Sequence, residues 1–264
     1  MTFFLILPLL FGWDSDTSAA FNFSFYYTGP VDETLRIIAY PVLNDAYSQI
    51  GTDLNFYPDT PIVIFIRTDT GQISPDIVTL WNEAGNNKIV LSEQDLRLGG
   101  DPIFTAQAGR DPPLSMTYYE DIMTRRIRGA YMQALMTQKI KVPMPSWFTA
   151  GIINMAAWRG AGLHGIDKQN LNRPVNSYIP LDQINSQNAA TDYSLASAEI
   201  KDFFGFLVSK YGKFNIQEML RRLVEGTDFN DAIEDVYMTD VEYLEEDWRF
   251  ERDFNYSNNQ PFRR

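Results

Sequence analysis

Few side chains in this sequence could do chemistry. Its 264 residues include no cysteine and a single histidine, His164. These counts exclude thiolate zinc sites, iron–sulfur clusters, a cysteine nucleophile and any metal site that needs two imidazoles. His164 stands in the glycine-rich stretch 160–165, far from any second imidazole, a setting typical of an ordinary loop residue. Candidate chemistry is therefore left to carboxylates and arginines.

The most concentrated set of basic residues is Arg125, Arg126 and Arg128. Three interpretations are open. In the first they are surface residues, with Asp121 four positions before Arg125 in the favourable order for a helical ion pair. In the second an arginine ties this helix to carboxylates on other elements. In the third the guanidinium groups bind an anion or a carboxylate, which their bidentate geometry permits.

Composition and charge limit the partners. The sequence is 45% hydrophobic and 14% aromatic, which excludes disorder as the main state. The 34 acidic residues outnumber the 22 basic ones, and the net charge is -12. Long-range attraction to phosphate backbones is therefore absent, and we expect no nucleic-acid partner. The same charge favours a basic protein partner.

The N-terminus has the pattern of a targeting segment. Residues 3–12 form an apolar run too short to span a bilayer, and small residues at 18–20 suit signal-peptidase cleavage, although no basic residue opens the segment. We expect residues 1–20 to be a signal peptide, the protein to be exported to the periplasm or envelope of a bacterium, and the mature chain to have no transmembrane span.

The first half of the mature chain predicts a small sheet. Alternating and β-branched segments indicate strands at 21–27, 61–68 and 87–92. Residues 32–50 carry apolar side chains at helical spacing, with Pro41 inside the run. The expected order is β-α-β-β.

The second half of the chain predicts helices. Prolines 143 and 145 separate the first two of them, and a loop rich in glycine, asparagine and proline covers 159–180. We expect helices at 115–140, 147–158, 194–210, 215–225, 228–236 and 241–250. The prediction is a single α+β domain over 21–254, with a sheet half (21–114), a helical half (115–254) and a polar tail (255–264).

Residues 123–158 carry a family resemblance. The pattern Pro145-Ser-Trp147-Phe148, followed by Gly151, resembles the second motif of peptidase-MA-like (gluzincin) zinc metallopeptidases, which lies some 20 residues after their HExxH helix. Flanking segments are similar over roughly 21–250. The resemblance implies a small mixed sheet packed on a mostly helical half, a cleft bordered by Trp147, and a cleft-facing tyrosine at Tyr193.

The positions that would do the chemistry depart from that family. The alignment puts Arg125 and Gly129 where the zinc-binding histidines stand, Arg126 at the general base and Ala150 at the third ligand. An arginine stays protonated and neither ligates zinc nor acts as a base, and glycine and alanine have no donor atoms. We therefore expect no zinc and no other cofactor. The alignment also implies that residues 125 and 129 project from one helix toward residue 150 on the next.

The resemblance thus implies an inactive peptidase that binds a protein or peptide, or serves in assembly. Such enzymes hold extended peptides against an edge strand, and Lys88, Ile89 and Val90 are the matching candidates here. Two alternatives remain: an active hydrolase with a different site, such as carboxylates with His164 or a carboxylate-bound metal, and a purely structural module of an envelope complex.

Overall fold

The computed structural model describes residues 22–28, 33–67, 88–92, 116–157, 178–184 and 193–259. The expected signal peptide, most of the expected loop at 159–180, and His164 lie outside these ranges. The described strands are β1 (Phe23–Tyr27), β2 (Ile62–Arg67) and β3 (Lys88–Ser92), and α1 (Glu33–Leu54) lies between the first two. The described elements follow one another in the predicted order, with residues 68–87 between β2 and β3 outside the described part, and the α+β class is confirmed.

The three strands form a parallel sheet in the order β1-β2-β3. Phe23 is paired with Ile62, and Ile64 is paired with Ile89. The central strand has almost no polar residue because it is covered on both faces, as parallel strands usually are. We expected a mixed sheet, but the strands that the structure describes pair only in parallel.

Helix α1 packs one apolar stripe against the core. Its buried residues recur every three or four positions, as a helix with one buried face requires: Leu35, Ala39, Leu43, Ala46, Ile50 and Leu54. Pro41 lies inside the helix and does not end it.

The second half is helical, as predicted. After α2 (Met116–Lys139) and α3 (Ser146–Ala157), a short 3-10 turn (Leu181–Gln183) directly follows the segment expected to be loop. The remaining described helices are α4 (Tyr193–Tyr211), α5 (Lys213–Val224), α6 (Phe229–Tyr237) and α7 (Val241–Asn259). Helix α7 extends nine residues beyond its expected end at 250, so half of the expected tail is helical.

The sheet and the helices share one hydrophobic core. Helix α2 packs against α1, α3 and β3, while α4 packs against α3, α5 and α7. The core includes Ile64 of the sheet, Tyr131 of α2 and Phe204 of α4. Within the described ranges, no helix combines the length and apolarity that crossing a bilayer requires.

Candidate functional site

The positions of α2 that align with the zinc-peptidase motif lie where this helix packs against its neighbours. Among Arg125, Arg126 and Arg128, Arg128 is the most buried. Its side chain is 2% exposed, whereas Arg125 is half-buried and Arg126 is exposed. Arg128 follows Ile127 on the covered side of α2, and it reaches α1 and α3 from there.

Three acceptors hold the Arg128 guanidinium. Its Nη1 donates to Asp45 Oδ2 at 2.9 Å and to Gln49 Oε1 at 3.2 Å, and its Nε donates to the carbonyl oxygen of Ala156 at 2.9 Å. Gln49 in turn donates to Asp45 Oδ1 at 2.9 Å. Asp45 and Gln49 lie one turn apart on α1, so they face Arg128 together.

The position of the Ala156 carbonyl explains part of this arrangement. It belongs to the last turn of α3, where carbonyl groups have no partner within the helix and where the helix dipole favours a cation. Arg128 therefore satisfies the end of α3 while it neutralises Asp45 on α1. Arg128 thus ties α2 to a carboxylate on α1, the part of the second interpretation that this ion pair shows.

Gly129 marks a close approach between α2 and α3. A Cβ atom built at position 129 would lie 3.4 Å from Ile153 Cγ2 and 3.9 Å from the Cβ of Ala157. Position 129 therefore faces α3, as expected, but it stands opposite Ile153 and Ala157. Ala150 lies three residues before Ile153, or about 4.5 Å along the helix axis. The expected convergence of position 129 directly on Ala150 is thus displaced by nearly one turn.

Arg125 lies within electrostatic range of Lys201 on α4. The pKa of Lys201 is lowered first by burial and then by the positive charge of Arg125. Both side chains are half-buried. The α2–α4 boundary thus brings two basic groups near each other, an arrangement that sequence spacing did not reveal because 76 positions separate them.

A buried carboxylate lies on the same helix as Lys201. Glu199 is fully buried, and its Oε2 accepts the backbone N–H of Ile179 at 3.1 Å. It fixes the segment before the 3-10 turn against α4. Among the residues that the structure describes, no group of three or more histidine, aspartate or glutamate side chains is placed to hold a metal ion.

Trp147 is a core residue at the edge of a groove. It is 4% exposed, and its ring centroid lies 5.5 Å from that of Phe203 and 5.8 Å from that of Phe229 in edge-to-face geometry. Trp147 therefore packs mainly in the core, and only its position at the edge of a groove agrees with the binding cleft that the resemblance implied. Tyr193 begins α4, and its side chain lies outside the described part.

The three candidates on β3 divide by face. Ile89 is buried in the core, so its part in the expected strand addition is limited to its backbone. Val90 is 39% exposed and Lys88 is half-buried. In the described sheet β3 occupies an outer position, with β2 on its inner side.

Asp121 lies on α2, but its side chain is outside the described part, so the predicted Asp121–Arg125 pair is too.

A comparison with protein-family models, curated proteins and solved structures finds no match. The resemblance to gluzincins therefore depends on the motifs in residues 123–158 and their flanks.

Proposed function

We propose that this chain is a non-catalytic protein of peptidase-MA-like architecture that binds a peptide or protein partner outside the cytoplasm. The observation that carries the proposal is the structural role of the α2 residues at and beside the aligned ligand positions. Arg128 is held by Asp45, Gln49 and Ala156, and the surface at Gly129 packs against Ile153. Gly129 thus packs against α3 at a position where an active relative would place a metal ligand, and Arg128 beside it is used for an ion pair.

Peptide binding would use the outer edge of β3. Strand addition relies on main-chain hydrogen bonds and needs no catalytic side chain. Ile89 and Leu91 anchor β3 in the core, which supports its backbone as a rigid template, while Val90 projects away from the core. The proposed contacts are therefore the backbone of 88–92 and the side chain of Val90.

The first experiment tests the absence of catalysis. We expect protein purified without chelator and then dialysed to contain far less than one zinc per chain, because the aligned ligand positions are Arg125, Gly129 and Ala150. Elemental analysis measures the metal, and a broad peptide library with and without added zinc measures turnover. Chelator-sensitive turnover that disappears on mutation within the cleft would refute the proposal.

The second experiment tests the binding strand. Peptides selected from a random heptamer library should slow amide hydrogen exchange in residues 88–92, because strand addition protects backbone N–H groups. Helix α5 (Lys213–Val224) serves as the reference region. A bound peptide that leaves exchange at 88–92 unchanged would contradict binding at β3.

A further inference from the structure

A second surface, remote in sequence from β3, has the features of a docking groove. It lies where the first turns of α3, α6 and α7 meet the 3-10 turn, and its volume is about 730 Å³. This volume falls within the roughly 300–1,000 Å³ typical of ligand pockets. We call it the N-terminal groove. Its apolar lining consists of Pro145, Trp147, Leu181, Ile184, Phe229 and Val241.

The walls of the N-terminal groove are fixed to one another. Ser146 Oγ donates to the Ile184 carbonyl oxygen at 2.7 Å, which joins α3 to the segment of the 3-10 turn. The backbone N–H of Leu181 donates to the Glu245 carboxylate at 3.3 Å, which joins this turn to α7. A groove built in advance saves the ordering cost that a flexible surface would add on binding.

Within the part of the chain that the structure describes, every ionisable residue that lines the groove is acidic: Asp182, Glu242 and Glu245. Asp182 and Glu242 are exposed, and they lie on different elements at the rim. Glu245 is largely buried and is paired with Arg249. The rim therefore presents two solvated carboxylates beside an apolar floor.

The N-terminal ends of α6 and α7 do not make the groove attractive to an anion. The Asp228 side chain accepts the N–H of Asn230 at 2.9 Å at the start of α6, and the Asp240 side chain accepts the N–H of Tyr243 at 2.7 Å at the start of α7. These carboxylates satisfy first-turn N–H groups that would otherwise attract an anion. The charge of the groove therefore favours a cation.

We propose that the N-terminal groove binds a segment of a partner protein in which an arginine or lysine stands beside an aromatic or aliphatic side chain. The apolar side chain contacts Trp147, Phe229 and Val241, and the cationic group pairs with Asp182 or Glu242. The two carboxylates flank the floor from separate elements, so they suit charges spaced along a peptide. This site is distinct from β3 and does not depend on the function proposed for that strand.

The test uses the whole chain and a phage-displayed random heptamer library. Selected peptides should be enriched in arginine or lysine next to an aromatic or aliphatic residue. The double variant Asp182→Asn with Glu242→Gln should weaken their binding at least tenfold, and charge reversal of both residues to lysine should weaken it further. The matched control is Glu234→Gln with Asp253→Asn, which removes two exposed carboxylates that do not line the groove.

The outcomes separate this proposal from binding at β3. Loss of binding in the groove variants, with affinity retained in the control and falling as salt is raised, supports the groove. Peptides that bind the groove variants as tightly as the unmodified chain would overturn it, even if they protect residues 88–92 from exchange. Failure to enrich basic peptides would also overturn it, as would displacement of the peptide by an equal concentration of free arginine. Circular dichroism of each variant confirms that the fold is retained.

Discussion

At the scale of single residues, three neighbouring arginines have three different surroundings. Arg126 is exposed, Arg125 faces Lys201, and Arg128 is buried among acceptors from α1 and α3. Burying a guanidinium costs desolvation energy, and only a set of well-placed acceptors offsets that cost. Arg128 has three such acceptors, which identifies it as the structural member of the set.

Arg128→Met should therefore be strongly destabilising. It removes the Arg128 donors to Asp45 Oδ2 and to the Ala156 carbonyl, and we expect a loss of about 2–3 kcal/mol in the free energy of unfolding. This is below the roughly 3–5 kcal/mol of a fully buried pair because the Asp45 side chain is 24% exposed. Arg126→Met, on the exposed face, should cost less than about 0.5 kcal/mol. Urea unfolding measures both, and equal losses would contradict the assignment.

Glu218 on α5 links stability to pH. Hydrogen bonds from Arg221, and then from Arg222, lower the pKa of its carboxyl from 4.5 to about 2. A depressed pKa in the folded state stabilises the protein above the unfolded value, and this contribution is lost as pH falls from about 4.5 to about 2. The ion pairs of Glu218 with Arg221 and Arg222 are partly exposed to solvent. Glu218→Gln should therefore lower the free energy of unfolding by less than about 1 kcal/mol at pH 7.

The matched control for Glu218→Gln is Glu234→Gln on α6. Urea unfolding at pH 7, 5 and 3 should show the Glu218→Gln deficit shrinking at the lowest pH, whereas the control should differ little from the unmodified chain throughout. A deficit that grew on acidification would contradict the sign of this linkage.

At the scale of elements, Gly151 sets how closely α3 approaches α4, whereas Gly129 does not limit its approach to α2. A Cβ at Gly151 would lie 1.9 Å from a ring carbon of Phe204 on α4, so only glycine allows these helices to pack as they do. At Gly129 the nearest atom of α3 would be 3.4 Å away, which is an ordinary contact. The motif glycine at 151 is therefore explained by packing, without any reference to catalysis.

The two glycines should respond oppositely to alanine. Gly151→Ala forces Phe204 or the α3 backbone to move, and we expect a loss of about 1–3 kcal/mol from overpacking. Gly129→Ala should be neutral or should stabilise the protein by up to about 1 kcal/mol, because alanine is the better helix former. Thermal and urea unfolding measure both variants. Adding Phe204→Leu to Gly151→Ala should recover part of the loss, and no recovery would argue against the clash.

At the scale of the whole molecule, the expected sheet half and helical half are joined by polar contacts as well as by the core. Gln217 Nε2 of α5 donates to the Asp53 carbonyl of α1 at 2.8 Å, and Lys213 pairs with Asp53 at 3.0 Å. Lys139 at the end of α2 pairs with Asp59 at 2.6 Å, just before β2. The boundary at 114/115 therefore separates sequence segments that share one core.

This sharing predicts cooperative unfolding. Fluorescence of the buried Trp147 and Trp248 should change over the same urea range in which β2 (Ile62–Arg67) loses its protection from hydrogen exchange. The reason is that exposing either half uncovers the apolar face of the other. Exchange in β2 at clearly lower urea than the fluorescence change would show that the halves unfold separately.

Much of the local structure follows from the sequence. The period-2 and β-branched runs predicted β1, β2 and β3, and the apolar spacing at 32–50 predicted α1. The end of α7 was placed too early because the segment after residue 250 is polar, although its first proline is Pro261. Helix α7 therefore continues to Asn259, where composition alone suggested a tail.

The candidate site was predictable only in part. The sequence places residues 125 and 129 on one face of a helix, and along the whole chain it excludes cysteine ligands and any site that needs two histidines. It could not reveal that Lys201 faces Arg125, that Trp147 and Ile89 are buried, or that the first turns of three helices enclose an acidic groove.

What the sequence by itself determined was the chemistry available, the element types and the approximate order of sheet and helices, since these depend on composition and on local periodicity. What only the tertiary structure decided was which distant residues meet. Arg128 contacts Asp45 across 83 positions, and the packing of α3 on α4 depends on the close approach of Gly151 to Phe204. Such contacts arise because compact packing brings helix faces together, and spacing along a single element carries no information about the face it meets.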